Sequence, residues 1–324
     1  MKHAISLLLL GCAACAFHAP VRAQALTPDA VNAATNPGKV GPSSKGAAVL
    51  RAQVLLDRAH FSVGEIDGSF GSNMRRAISG YQTKAGLKPT GTIDKDTWDK
   101  LTADAVPVLT TYVLQDADVA GPFEPVPKQM AEKAKLTTLG YASAIEGLAE
   151  KFHMSPALLK RLNPGKEMIK AGEEIVVANV LDVEPLARTG KIVVDKSDHT
   201  LSLFDAADQL IAQFPVSTGS KQDPLPIGTW KVEHLTENPI FYYNPKLFWD
   251  ADPADKKTRI APGPNNPVGV AWVDLTKEHY GIHGTPEPSG VGRTQSHGCI
   301  RLTNWDVAKL VKSVPAGIDV ILQE

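Results

Sequence analysis

The chain has 324 residues, 43% of them hydrophobic and 21% charged, with 34 basic against 35 acidic side chains. That length and mix describe a globular protein of two or three domains. The near-neutral balance excludes the electrostatic footprint of a nucleic-acid or anionic-membrane binder.

Residues 1–25 read as a secretory signal peptide. Lys2 and His3 make a short positive start, residues 5–10 are apolar, and Val21-Arg22-Ala23 or Ala23-Gln24-Ala25 offers small residues for cleavage. The apolar run is too short to span a bilayer, so the protein is expected not to be transmembrane. Leu9-Leu10-Gly11-Cys12 also fits a lipoprotein processing site, which would leave Cys12 lipidated. Either way the protein is exported, and Cys299 is the one thiol outside the N-terminal segment that holds Cys12 and Cys15. An unpaired thiol in an oxidising compartment is a liability unless it is used.

Residues 26–46, rich in Ala, Pro, Gly, Ser and Asn, read as a flexible tether. From residue 47 to 103 the pattern is helical. Val49, Ala52, Leu56 and Ala59 share one face, and Met74, Ala77, Ile78 and Tyr81 repeat at helical spacing. Ser72 stands where the second helix should be capped, Gly86 where it should end, and residues 94–101 make a short third helix. Gln53, the Asp67-Gly68-Ser69-Phe70-Gly71 turn, Tyr81-Gln82, Gly86-Leu87, Gly91 and Thr97-Trp98 resemble the three-helix peptidoglycan-binding domain. The resemblance implies that the turn and the surface beside it bind glycan or stem peptide; a plain three-helix bundle is the alternative.

Residues 109–180 suggest strand, helix, helix, strand: 108–114, 142–152, 156–162 and 174–178. This order, with Leu159, Leu162-Asn163-Pro164 and Lys170-Ala171-Gly172-Glu173-Glu174-Ile175, resembles a degenerate lysin-motif domain. A Pro-rich insertion at 116–139 departs from that pattern, and a structural spacer is the other reading. The fold class expected is therefore multidomain: a small all-α unit, a small α+β unit and a mainly-β C-terminal unit.

From 190 to 323 the apolar period becomes two. Strands are expected at 191–195, 200–204, 210–214, 229–232, 268–273 and 318–322, with one helix at 305–314 and Thr303 and Asp306 spaced like a capping box. Many short strands argue a β-sandwich or partly closed barrel. Residues 236–267 form a long loop holding Phe241, Tyr242, Tyr243, Phe248 and Trp249, either a wall of a cleft or a small core of its own.

Tyr280-Gly281-Ile282-His283-Gly284-Thr285 and Ser296-His297-Gly298-Cys299-Ile300-Arg301 gather two imidazoles, a thiol and a guanidinium. These are the parts of a cysteine nucleophile: a base, an orienter and an anion anchor. The pair of segments resembles the signature of the L,D-transpeptidase catalytic domain, and Gly263-Pro264-Asn265-Asn266-Pro267-Val268-Gly269 resembles a stretch common in its Gram-negative branch. The resemblance implies a periplasmic transferase that acylates Cys299 with a peptidoglycan tetrapeptide stem, releases the terminal D-residue, and passes the acyl group to an amine. That acceptor would be a second stem or a lipoprotein lysine; water would trim the stem instead. It also implies roles: Cys299 nucleophile, His283 base, Gly284 the carbonyl that holds the imidazole, Arg301 and His297 shaping the site, and backbone N–H groups near Gly298 and Cys299 the oxyanion hole. Ser296, Tyr280 and Thr285 are candidate substrate contacts. No cofactor is implied. A zinc site built from His283, His297 and Cys299 is the rival reading, weakened by the lack of a His-Glu-x-x-His helix. An inert buried thiol is the other.

Overall fold

A computed structural model describes residues 26–35, 38–104 and 106–324; the expected signal peptide and the Cys12 site lie outside the described residues. The first unit comprises helices α1 (Pro28–Asn32), α2 (Ala47–Arg58), α3 (Ser72–Lys84) and α4 (Lys95–Leu101). The apolar faces read from the sequence are the buried ones: Val49, Ala52 and Leu56 on α2, and Met74, Ala77 and Ile78 on α3. Ser72 is not the cap of α3 but its first residue; Gly71 occupies the cap and supplies no side-chain bond. Gly86, at φ +69°, ends the helix as expected.

The polar positions of the peptidoglycan-binding resemblance turn out to be clamps. Buried Gln53 accepts from Gly68 N–H at 2.7 Å and donates to Asp67 Oδ1 at 2.9 Å, and Gln82 bridges Gly91, Thr92 and Thr97. The described residues of 26–46 do not form a tether. Val31 is fully buried, Asn32 Oδ1 accepts from Val108 and Leu109 N–H, and Val40 pairs with Ile93. Composition suggested mobility, but Thr27 and Pro28 start a helix whose one buried residue, Val31, joins a core built from residues distant in sequence.

The second unit runs β1 (Leu109–Val113), α5 (Asp116–Val119), α6 (Met130–Lys133), α7 (Ala144–Lys151), α8 (Pro156–Leu162) and β2 (Glu174–Ala178). β1 and β2 pair antiparallel, Leu109 opposite Ala178. α7 starts later than the period suggests because Ser143 caps it, accepting from Glu146 N–H. The two units share one apolar core, continuous from Val31 to Val180, and Ile66 bridges Met154 between them.

The third unit is one eight-stranded sheet of β3 (Lys191–Asp195), β4 (Thr200–Phe204), β5 (Leu210–Pro215), β6 (Gly228–Glu237), β9 (Ala271–Leu275), β10 (Gly281–His283), β11 (Ile300–Arg301) and β12 (Asp319–Gln323), ordered β11-β10-β9-β6-β12-β3-β4-β5. Just past β5, Ser217 exchanges both backbone bonds with Arg301 at 3.0 and 2.9 Å, so the edges of the sheet meet and it curls into the partly closed barrel expected. The strand expected at 268–273 begins only at Ala271, because Asn266 caps a turn through Val268 and Gly269. α9 (Asn304–Ser313) is capped by Thr303, yet Asp306 does not complete the box; its carboxylate accepts from Ser62 of the first unit at 2.8 Å.

Residues 236–267 hold a hairpin, β7 (Phe241–Tyr243) with β8 (Thr258–Ile260). Its Tyr243, Ile260 and Ala261 bury against Leu139 and the Pro-rich segment, so the two insertions cover each other. Tyr242 and Trp249 stay 70% and 59% exposed. The first unit also reaches the sheet: Ser62 and His60 bond Gln213 on β5, and Asn73 Nδ2 donates to Val291 O at 2.9 Å.

Candidate active site

β10 and β11 lie side by side and parallel, with His283 opposite Arg301. Paired residues on neighbouring strands share a face, so this register puts His283 and Arg301 on one side of the sheet, and Cys299, in the bend just before β11, interacts with the Arg301 charge. Sequence spacing brought the two segments to attention; the parallel pairing is what makes them one site.

His283 is buried, its Nδ1 lies 2.6 Å from Gly284 O, and the Trp272 ring stacks on it at 5.3 Å, 18° from parallel. A carbonyl only accepts, so Nδ1 carries the proton and Nε2 keeps its lone pair. Burial, then the Arg301 guanidinium, lowers the imidazole to about 3, so it is neutral at physiological pH. Trp272 was missed in the sequence; its place opposite His283 in the β9–β10 pairing is the only sign of it.

Cys299 is half-buried, and its Sγ donates to His279 O at 3.7 Å. Burial raises the thiol to about 11, opposed by the Gly281 backbone and by Arg301. The sequence reading expected the imidazole within hydrogen-bond reach of the thiol. Among the described residues no such bond forms: a protonated thiol needs an acceptor, and the carbonyl of His279, in the turn between β9 and β10, provides it.

Arg301 is held by its backbone to Ser217, while burial lowers the guanidinium pKa against Glu287 and Cys299. Among the described residues no carboxylate lies within ion-pair distance of it. Gly298 adopts φ +99°, and a Cβ there would stand 2.7 Å from the Tyr280 ring, so Tyr280 forms the wall behind the thiol turn. Ser296 Oγ donates to Cys299 O at 2.5 Å, and Thr285 Oγ1 accepts from Glu287 N–H. Both residues are buried, and both hydroxyls hold the turns together.

His297 does not join Cys299. Its Nε2 bonds Asp250 Oδ1 at 2.8 Å, and its ring meets Phe248 at 5.2 Å and Trp249 at 5.9 Å, all from the 236–267 insertion. The insertion therefore has the small core around Tyr243 that the sequence left open, and its Phe248, Trp249 and Asp250 pack on His297, two residues before Cys299. With His297 turned away, the three groups of the zinc reading do not converge. Among the described residues no cluster of three His, Cys, Asp or Glu has metal-ligand geometry.

Residues 189–322 match the family described as the L,D-transpeptidase catalytic domain, and residues 45–101 match the peptidoglycan-binding domain family. YkuD of Bacillus licheniformis, assigned as an L,D-transpeptidase, is 29% identical over 53% of this chain and 89% of its own length. YqjB of Bacillus subtilis, assigned likewise, is 30% identical over 44% of this chain and 77% of its own. YbiS of Escherichia coli, also assigned as an L,D-transpeptidase, is 27% identical over 55% and 59%. Among the described residues no helix is long and apolar enough to cross a membrane. A fold that curls one sheet around a paired His-Gly and Ser-His-Gly-Cys, joined to a peptidoglycan-binding domain, places this chain in the L,D-transpeptidase family of peptidoglycan acyltransferases.

Proposed function

We propose that Cys299 is the nucleophile and His283 its base. The observation that carries this is the β10–β11 pairing, which brings the bend bearing Cys299 up to the strand of His283, with Nε2 of a neutral, oriented imidazole left free to accept. Nε2 takes the thiol proton as Sγ bonds the carbonyl carbon between the L-centre and the terminal D-residue of a tetrapeptide stem. Backbone N–H groups around Gly298 and Cys299 receive the oxyanion; losing one such donor typically costs about 100- to 1000-fold. The C–N bond then breaks, the imidazolium returns its proton to the departing D-amino acid, and a thioester remains. An acceptor amine from a second stem or a protein lysine attacks that thioester, loses its proton to Nε2, and regenerates the thiol. Arg301, with no carboxylate of its own, clamps a stem carboxylate.

Around this centre, residues 1–25 direct export to a Gram-negative periplasm. The helical unit holds peptidoglycan, and residues 109–180 serve as a lysin-motif-like unit. Incubating the mature protein with tetrapeptide-stem fragments should add the mass of a stem lacking its last residue to Cys299 and yield cross-linked dimers. Cys299→Ala should lose at least about 10³-fold of the acylation rate while still sedimenting with peptidoglycan. Acylation persisting in that variant, or activity removed by a chelator, would sink the thiol mechanism.

A further inference from the structure

Asn304, the first residue of α9, is almost fully buried and uses every side-chain hydrogen-bonding group. Its Oδ1 accepts from Thr285 N–H at 3.1 Å and Val270 N–H at 3.3 Å. Its Nδ2 donates to Pro264 O at 3.1 Å and to both carboxylate oxygens of Glu150, at 3.0 and 3.2 Å. The amide is packed hard against the backbone beside the base. A Cβ on Gly284 would stand 2.4 Å from Asn304 Oδ1, and one on Gly269 only 2.1 Å. Gly284 is the residue whose carbonyl holds His283 Nδ1.

Three backbone groups fix which end of this amide is which, and a group outside the catalytic sheet bears on its NH₂ end. Glu150 lies on α7 of the second unit, buried, with Tyr141 O–H donating to it at 3.4 Å. One turn earlier, Glu146 accepts from Asn265 in the same 263–269 turn at 2.8 Å. Burial raises Glu150 to about 7, so above that pH it is a carboxylate, which accepts only from the NH₂ end of the amide and reinforces the orientation that points the oxygen at Thr285 and Val270. We propose that Glu150 is a positioning residue: through Asn304 it sets the 283–285 backbone that aims His283, making the second unit part of the active-site support.

The proposal rests on His283 being the base, and its test separates the two ideas. Stem acylation of Cys299 and its alkylation by iodoacetamide are measured at pH 8, with thermal melts, for the full mature chain. Glu150→Gln keeps an oxygen for Nδ2 and should slow both reactions less than about threefold. Asn304→Asp sets two carboxylates against each other and should lower kcat about 100-fold with KM little changed, the scale expected of a misplaced catalytic group. Combining Glu150→Gln with Asn304→Asp restores a donor opposite an acceptor and should recover at least about tenfold. A folded double variant no faster than Asn304→Asp alone, or a Glu150→Ala with unaltered rates, overturns the proposal. If the wild type fails to acylate, the transpeptidase mechanism falls, while the alkylation rates across the same variants still decide the role of Glu150.

Discussion

His283 is held on three sides, by the Gly284 carbonyl, the Trp272 face and the Arg301 charge that disfavours its protonation. Cys299, half-buried, stays a thiol. The resting pair is thus neutral, and thiolate forms only as the imidazole takes its proton during attack. An enzyme relying on a histidine of ordinary pKa loses activity below about pH 6.5. Here the imidazole pKa is depressed to about 3, so the acid limb of kcat/KM for stem acylation should fall below pH 5. A limb between pH 6 and 7 would contradict the neutral buried base. On the alkaline side, iodoacetamide labelling of the free enzyme should keep rising past pH 9, towards the thiol value of about 11.

At the scale of elements, the 236–267 insertion packs on His297, two residues before the thiol. Its buried half, Tyr243 and Ile260, anchors it to Leu139, while Trp249 remains mostly exposed beside His297. Because Trp249 contributes to the wall and little to the core, Trp249→Ala should change stability by no more than about 0.5 kcal/mol. It should raise KM for the stem several-fold and leave kcat near its original value, a split that steady-state kinetics resolves. A drop in kcat at constant KM would mean that the wall acts on the chemistry instead. The aromatic content of this insertion was plain in the sequence. Which aromatics faced inward was not, because their partner is the Pro-rich segment more than a hundred residues earlier.

At the scale of the whole molecule, the three units meet around a buried set of charges. Asp57 of α2 is bonded to His153 and to Lys309 of α9, each at 3.0 Å, and Trp305 stacks on His153. Asp306 accepts from Ser62 and lies nearby with Oδ1 unpartnered. Burial, reinforced by Asp57 and opposed by Lys309, raises Asp306 to about 7. A carboxyl that binds its proton more tightly when folded contributes stability that is complete below about pH 4 and lost as pH rises through 7. Asp306→Asn removes that loss and keeps an acceptor for Ser62. The melting temperature of the variant relative to wild type should therefore rise steadily from pH 4 to pH 8. A constant difference would show that the carboxyl titrates normally. Asp57 works in the opposite direction: against the burial that would raise it, its His153 and Lys309 contacts hold it below the usual carboxylate value, and their contribution is lost progressively as pH falls below about 4.

Local pattern determined the helical first unit, the two strands and two longer helices of the second, though not α5 and α6 of its Pro-rich insertion, the mainly-β last unit and the segments bearing His283 and Cys299, since periodicity and spacing report what neighbours along a chain must do. Tertiary structure decided that residues 26–46 dock, that the first two units share a core, that His297 faces Asp250 rather than the thiol, and that Glu150 braces Asn304. Those contacts join residues 47 positions apart for His297–Asp250, 154 for Asn304–Glu150 and 244 for Ser62–Asp306. No local period encodes such pairs; they exist only once three units bury their apolar faces together and leave each trapped polar group to find the partner that the packing supplies.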